Sequence, residues 1–207
     1  MYRALLDRFG HQHWWPGRTP FEVAAGAILT QHTAWTNAAV AVAALRSRGL
    51  LVPRRLLEVP ETELATIIRR AGTYRLKARR LRAFTHWLVA ASGGRFAWMR
   101  SAALPEARQT LLRVPGLGPE TVDAILLYAA NRPVFVADAY ARRVLARHGV
   151  LPAGASYEEA RRFLESHLPS DPALFNEYHA LLVEVGKRHC RTDPRCADCP
   201  LGRDPHA

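Results

Sequence analysis

Apolar residues return at intervals of three and four along most of the chain. They do so from Leu5 to Phe9, Phe21 to Leu45, Leu56 to Ile68, Leu81 to Leu88, Thr110 to Leu112, Thr121 to Ala130, Ala139 to Arg147, Tyr157 to Leu168 and Leu174 to Gly186. This is the period of a helix with one buried face, and alternation with period two is nowhere sustained, so the pattern predicts an all-α fold. The punctuation agrees. Thr19-Pro20 precedes Phe21 and Glu22, Pro60 precedes the run ETELATII, and Ser156 stands three residues before Glu159, the spacing of a capping box. The stretches ASGGRF (Ala91 to Phe96) and VLPAGAS (Val150 to Ser156) read as breaks between helices, too short for disordered linkers.

Composition adds a partner class. The 207 residues carry 29 Lys and Arg against 18 Asp and Glu, a formal charge of +11, mostly from Arg. Such a surface attracts a polyanion by counterion release, which favours nucleic acid; the alternative is a basic chain from an Arg-rich proteome. No apolar run approaches the length of a membrane-spanning helix. The start, MYRALLDRFGHQHWWPG, has no apolar block behind a basic segment, so a cytoplasmic protein without a secretory leader is expected. The cysteines, Cys190, Cys196 and Cys199, cluster near the end. An odd, clustered set in a cytosolic chain suits metal or cluster ligation better than disulfides.

The most specific stretch is VPGLGPETVDAI, beginning at Val114. Gly116 and Gly118 allow tight or left-handed turns and close approach of another molecule, and Pro119 suits a first helical position. Exposed amides there would form a phosphate site; an ordinary connection between two helices is the competing reading. Glu120 is unexpected, because a carboxylate stands where a phosphate would lie. Further on, VFVADAYARRVL places Asp138 at the start of a new helix, where Asp most often serves as an N-cap.

A Pro-Gly-Leu-Gly turn followed some twenty residues later by a Val-x-Asp helix start resembles the helix-hairpin-helix DNA glycosylases of the endonuclease III superfamily. The resemblance covers nearly the whole chain. It implies two helical lobes, 21–133 with the hairpin and 1–20 with 134–207, a cleft between them for double-stranded DNA carrying a damaged base, and a monomer acting on the nucleoid. It implies that the hairpin, through Gly116, Gly118 and Thr121, grips the backbone and that Asp138 is the catalytic carboxylate. FEVAAGAILTQHTAWTNAAVA looks like the helix pair whose loop enters the DNA, here through Gln31. AGTYRLKARRLRAF looks like the loop supplying a second wedge around Thr73 and Tyr74. In bifunctional members a Lys that forms a Schiff base stands where this chain has Glu120. A carboxylate cannot form that adduct, so the resemblance implies a monofunctional enzyme using water. Glu120 would orient water or a hydrogen bond, or serve as an ordinary first-turn acid. Lysines are few, and Lys77 and Lys187 match other family positions.

Trp14 and Trp15 before Pro16, with Trp35 after the Gln31 loop, are similar to the 3-methyladenine branch, which also shares the Glu of GPETVDAI. That likeness implies excision of alkylated purines, whose cationic bases would stack on aromatic faces. Packing of helices is the plain alternative for the tryptophans, and oxidised pyrimidine, uracil or a mismatched base are alternative substrates; a non-catalytic damage-binding module is the rival outside enzymology. HCRTDPRCADCPLGRDPHA resembles the loop of a [4Fe-4S] cluster, but the fourth Cys of the family is replaced by Pro205. His206, one residue on, is the expected fourth ligand, with zinc on three Cys and one His, or no metal, as alternatives.

Overall fold

The computed structural model describes residues 1–202, which contain twelve α-helices and no strand. The chain forms two compact units, one of residues 16–132 and one of residues 1–15 with 133 onward.

The first unit is built around α2 (Pro20–Leu29), in which every residue from Phe21 to Leu29 is buried. A helix apolar on all sides must be wrapped by others, and α2 packs against α3 (Trp35–Ser47), α6 (Tyr74–Ser92) and α9 (Pro119–Ala124). Thr19 Oγ1 accepts from the Glu22 amide at 3.2 Å, with Pro20 in the first turn, as the sequence predicts. The buried Glu22 carboxylate is paired with Arg46.

The apolar run from Phe21 to Leu45 is not one helix. It breaks after Leu29: Thr30 turns its hydroxyl back onto Gly26 O at 2.7 Å, His32 takes φ +51°, and Lys77 Nζ binds Leu29 O at 2.8 Å. A second break separates α4 (Pro53–Glu58) from α5 (Glu61–Ile67), where Pro60 has no N–H to continue a helix. A 3₁₀ turn (Arg69–Ala71) leads into α6, and α7 (Ala97–Ser101) and α8 (Leu104–Leu112) lead to the hairpin turn. After α9 the backbone widens over Ile125–Ala129, the Ala130 amide reaching Ile125 O, five residues back. Such widened turns are frequent at functional sites.

In the second unit α1 (Tyr2–Phe9) and α10 (Ala139–Arg147) pack on α12 (Pro172–Arg188). Val134 to Ala137 runs buried and non-helical into α10. Phe135 packs edge-on against Phe175 and Tyr178, and its amide donates to Glu165 Oε1 at 2.9 Å, so this non-helical backbone is anchored before Asp138. On α11 (Tyr157–His167), Ser156 and Glu159 form the predicted capping box, with bonds of 3.2 and 2.8 Å. No helix among the described residues is long and apolar enough to cross a membrane.

Candidate functional site

In the first unit, α8 and α9 flank the turn Arg113–Gly118. Asp123 of α9 is fully buried and receives Arg108 of α8 through two parallel bonds, Nε to Oδ1 at 2.7 Å and Nη2 to Oδ2 at 3.0 Å. That fork fixes the angle between the hairpin's helices. Gly116 has φ +86°, which a side chain would strain, and a Cβ there would fall 2.3 Å from Arg80 Cγ. Glycine is therefore required twice at this position, by the turn and by the arginine lying on it.

Three residues expected at the DNA are brought together here. Gln31 Nε2 donates to Gly116 O at 3.1 Å and to Thr121 Oγ1 at 2.9 Å, and its Oε1 accepts from Arg80 Nη1 at 2.6 Å. Arg80 was not singled out in the sequence; it is one arginine among many on a helix. The loop holding Gln31 is pinned by Lys77, whose Nζ also binds Ala71 O at 2.6 Å, at the end of the 3₁₀ turn before Tyr74. Burial, with Arg80 nearby, lowers the Lys77 pKa to about 8. Gly118 is exposed ahead of α9, Glu120 is exposed in its first turn, and Trp35 is half-buried at the start of α3. Tyr74 opens α6 and lines a surface cavity of about 400 Å³ with Thr62, Thr66, Arg75 and Arg79.

In the second unit Asp138 caps α10, its Oδ1 accepting from the Ala141 amide at 2.8 Å. Its Oδ2 lies 3.5 Å from His179 Nε2 of α12. Burial pushes the carboxyl's pKa up, but the His179 charge and contact and the Ala141 and Tyr140 amides outweigh it, and the net shift is below the ordinary 3.8. Asp138 is thus both a cap and a carboxylate held ionised, and its side chain keeps 17% of its surface accessible. His179 carries no mark in the sequence, since it sits on the buried face of α12 among Tyr178, Ala180 and Leu181 and reads as core. Tyr140, two residues on, packs where a Cβ on Gly186 would lie. Trp14 and Trp15 meet edge to face at 5.1 Å, and the exposed Lys187 ammonium stands 5.9 Å from the Trp14 ring and 6.0 Å from that of Tyr140.

At the end of this unit, Cys190, Cys196 and Cys199 line a cavity of about 220 Å³ with Arg147, His148, His189 and Pro194. Arg147 Nη1 donates to Cys190 Sγ at 3.4 Å and Arg143 Nε to Cys190 O at 2.7 Å. Burial raises the Cys199 thiol's pKa. Zinc would need its sulfurs about 2.3 Å from one point. Among the described residues no three His, Cys, Asp or Glu side chains converge on one ion. Three thiols lining one cavity are donors that fit either an iron–sulfur cluster or a zinc ion. His206 and Pro205 lie outside the described residues.

A basic all-α chain with a Pro-Gly-Leu-Gly hairpin and an Asp at a helix start has the features that resemble the helix-hairpin-helix DNA repair glycosylases, and comparison with known proteins shows that it is one of them. Residues 25–170 match the HhH-GPD superfamily of base excision DNA repair proteins, and the chain belongs to that family. It is a DNA glycosylase of the endonuclease III type. It is 43% identical over 202 residues to MJ1434 of Methanocaldococcus jannaschii, provisionally named a DNA repair glycosylase, covering 97% of this chain and 92% of that one. It is 28% identical to endonuclease III of Thermotoga maritima, covering 96% and 87%. The fold matches a trapped endonuclease III–DNA covalent intermediate with TM-score 0.82 at 24% identity, covering 97% and 90%. It also matches the H. pylori 3-methyladenine DNA glycosylase MagIII bound to 1,N6-ethenoadenine, with TM-score 0.77 at 24% identity, covering 90% and 95%.

Proposed function

We propose that this chain is a monofunctional DNA glycosylase that hydrolyses the N-glycosidic bond of alkylated purines of the 3-methyladenine type in duplex DNA. The observation that carries the reading is the pair of acids: Glu120 exposed where bifunctional members have their lysine, and Asp138 held ionised beside His179. The hairpin residues Gly116, Gly118 and Thr121 hold the backbone, Gln31 and Tyr74 replace the extruded nucleotide in the stack, and Trp14 and Trp15, and separately Trp35, are aromatic faces on which a base can stack. An alkylated purine carries its positive charge already, so it leaves with the bonding electron pair as a neutral base and needs little acid catalysis. Asp138 stabilises the cationic sugar or takes the proton of the water that adds to C1′.

Methylated DNA treated with the protein and then with alkali tests this: strand breaks should appear only after the alkali, and borohydride should trap no adduct, since a Schiff base needs an amine. Breaks without alkali would overturn the monofunctional assignment. A second reading has its own observation. The chain has two lysines; Lys77 is buried on two carbonyls, while Lys187 is exposed beside Trp14 and Tyr140. A trapped adduct that disappears in Lys187→Met would assign lyase chemistry to Lys187. No excision on methylated DNA but release of uracil or an oxidised pyrimidine would move the substrate class, and binding without excision of any base would leave a damage-binding module.

For the C-terminal loop we propose a [4Fe-4S] cluster on Cys190, Cys196 and Cys199, with His206 as fourth ligand, Arg143 and Arg147 steadying the loop around Cys190. When bound, such a cluster closes the loop and can pass one electron. Protein purified without air should then be brown and contain about four irons per chain. One zinc, or a folded colourless protein without metal, would replace this assignment.

A further inference from the structure

Arg80 is incompletely satisfied. Its Nη1 donates to Gln31 Oε1 at 2.6 Å, but its Nε is buried with no hydrogen-bond partner among the described residues. Its stem lies on Gly116, where a Cβ would come within 2.8 Å of Cδ and 2.9 Å of Nε. No carboxylate pairs with it among the described residues, and its positive charge is felt by Lys77. Gln31 is the opposite case, with its carbonyl oxygen taken by Arg80 and its amide by Gly116 O and Thr121 Oγ1. The side chain read as the wedge is therefore folded back onto the hairpin.

A half-buried guanidinium whose Nη1 is held by a neutral amide oxygen, beside an exposed glycine turn, is suited to a phosphate. An anionic oxygen is also a stronger acceptor than the neutral amide oxygen that Arg80 now holds. We propose that Arg80 binds a DNA phosphate beside the hairpin and in doing so gives up Gln31, so that gripping the backbone releases the wedge into the duplex. This rests on the reading of Gln31 as the residue that enters DNA. The binding group is the guanidinium and the ligand a backbone phosphate, and the step is an exchange of acceptors with no covalent change. It also orders events: Gln31 is withheld until backbone is in place, which spares random encounters the cost of unstacking a base.

The test uses the full chain and an undamaged duplex containing 2-aminopurine, with binding followed by anisotropy at several salt concentrations and unstacking by fluorescence. Arg80→Gln should reduce the slope of log K against log salt by about 0.9, the contribution of one phosphate, and should diminish the fluorescence rise at saturating protein. Arg80→Lys keeps the charge and the stem on Gly116 and should keep the slope. A slope unchanged in Arg80→Gln overturns the proposal, and so does an Arg80→Lys slope as low as that of Arg80→Gln, which would assign the loss to packing. Gln31→Ala should lose the fluorescence rise and keep the slope. If it keeps the rise, the wedge reading fails and the proposal with it; if it loses the rise while Arg80→Gln leaves the slope intact, the proposal alone fails.

Discussion

Asp123 and Asp138 are both aspartates that follow the hairpin turn, and the chain uses them in opposite ways. Asp123 is fully buried, and both its oxygens are held by the fork of Arg108. Its lone pairs are spent on fixing α8 against α9. Asp138 spends one oxygen on the α10 cap and turns the other towards His179 at a looser 3.5 Å, with part of its side chain accessible. A carboxylate consumed by a bidentate arginine is part of the scaffold, whereas one held ionised by a histidine and two amides, with surface left over, can still act on a cation. Residue type does not separate the two; the partners do.

The comparison is broken most directly at Asp138. Asp138→Asn keeps the shape and the cap but removes the charge, and excision should fall on the order of a hundredfold or more while DNA binding is retained. Near-normal turnover would make Asp138 a cap like any other. Asp123→Asn should show the reverse signature. It removes the charge from the fully buried acceptor of Arg108's fork, a loss of about 3–5 kcal/mol in stability. The change should be read in the melting temperature, and excision per folded molecule should fall far less than in Asp138→Asn. A variant of Asp123 that melts normally would show that the hairpin's geometry is held by packing alone.

The sequence made parts of this visible and hid others for definite reasons. Helical period and capping residues are local, so α1, α2, α10, α11 and α12 were legible, and so was Asp138 at a helix start, because a cap is set by its own neighbours. The break after Leu29 is invisible to the apolar period, which runs through it, and was expected only from the resemblance that puts Gln31 in a loop; Lys77, on another helix, helps to hold it. Gln31, Gly116 and Thr121 could each be marked singly, but their hydrogen bonds to one another span most of the unit. Arg80 and His179 were missed for a related reason. One looks like any surface arginine and the other like any core histidine until the residue facing it is known.

The smallest expected effect sharpens the comparison by pH. Asp138 is held below the ordinary carboxyl value because the attractions of His179 and the two amides exceed the cost of burial. A carboxyl with a depressed folded pKa contributes its stability fully above the unfolded value and loses it as pH falls through the folded one. The acid limb of excision should accordingly lie below the ordinary carboxyl range, in the same window where this contribution to stability is lost. His179→Gln removes the attracting charge and leaves the burial, so both the acid limb and the onset of acid unfolding should move to higher pH. The carboxyl group itself is still present in this variant, so turnover at neutral pH should change less than in Asp138→Asn. A pH–rate profile of the two proteins on one alkylated duplex, with melting curves over the same range, checks both shifts. An acid limb that stays in place in His179→Gln would show that the Ala141 and Tyr140 amides alone keep the carboxylate charged.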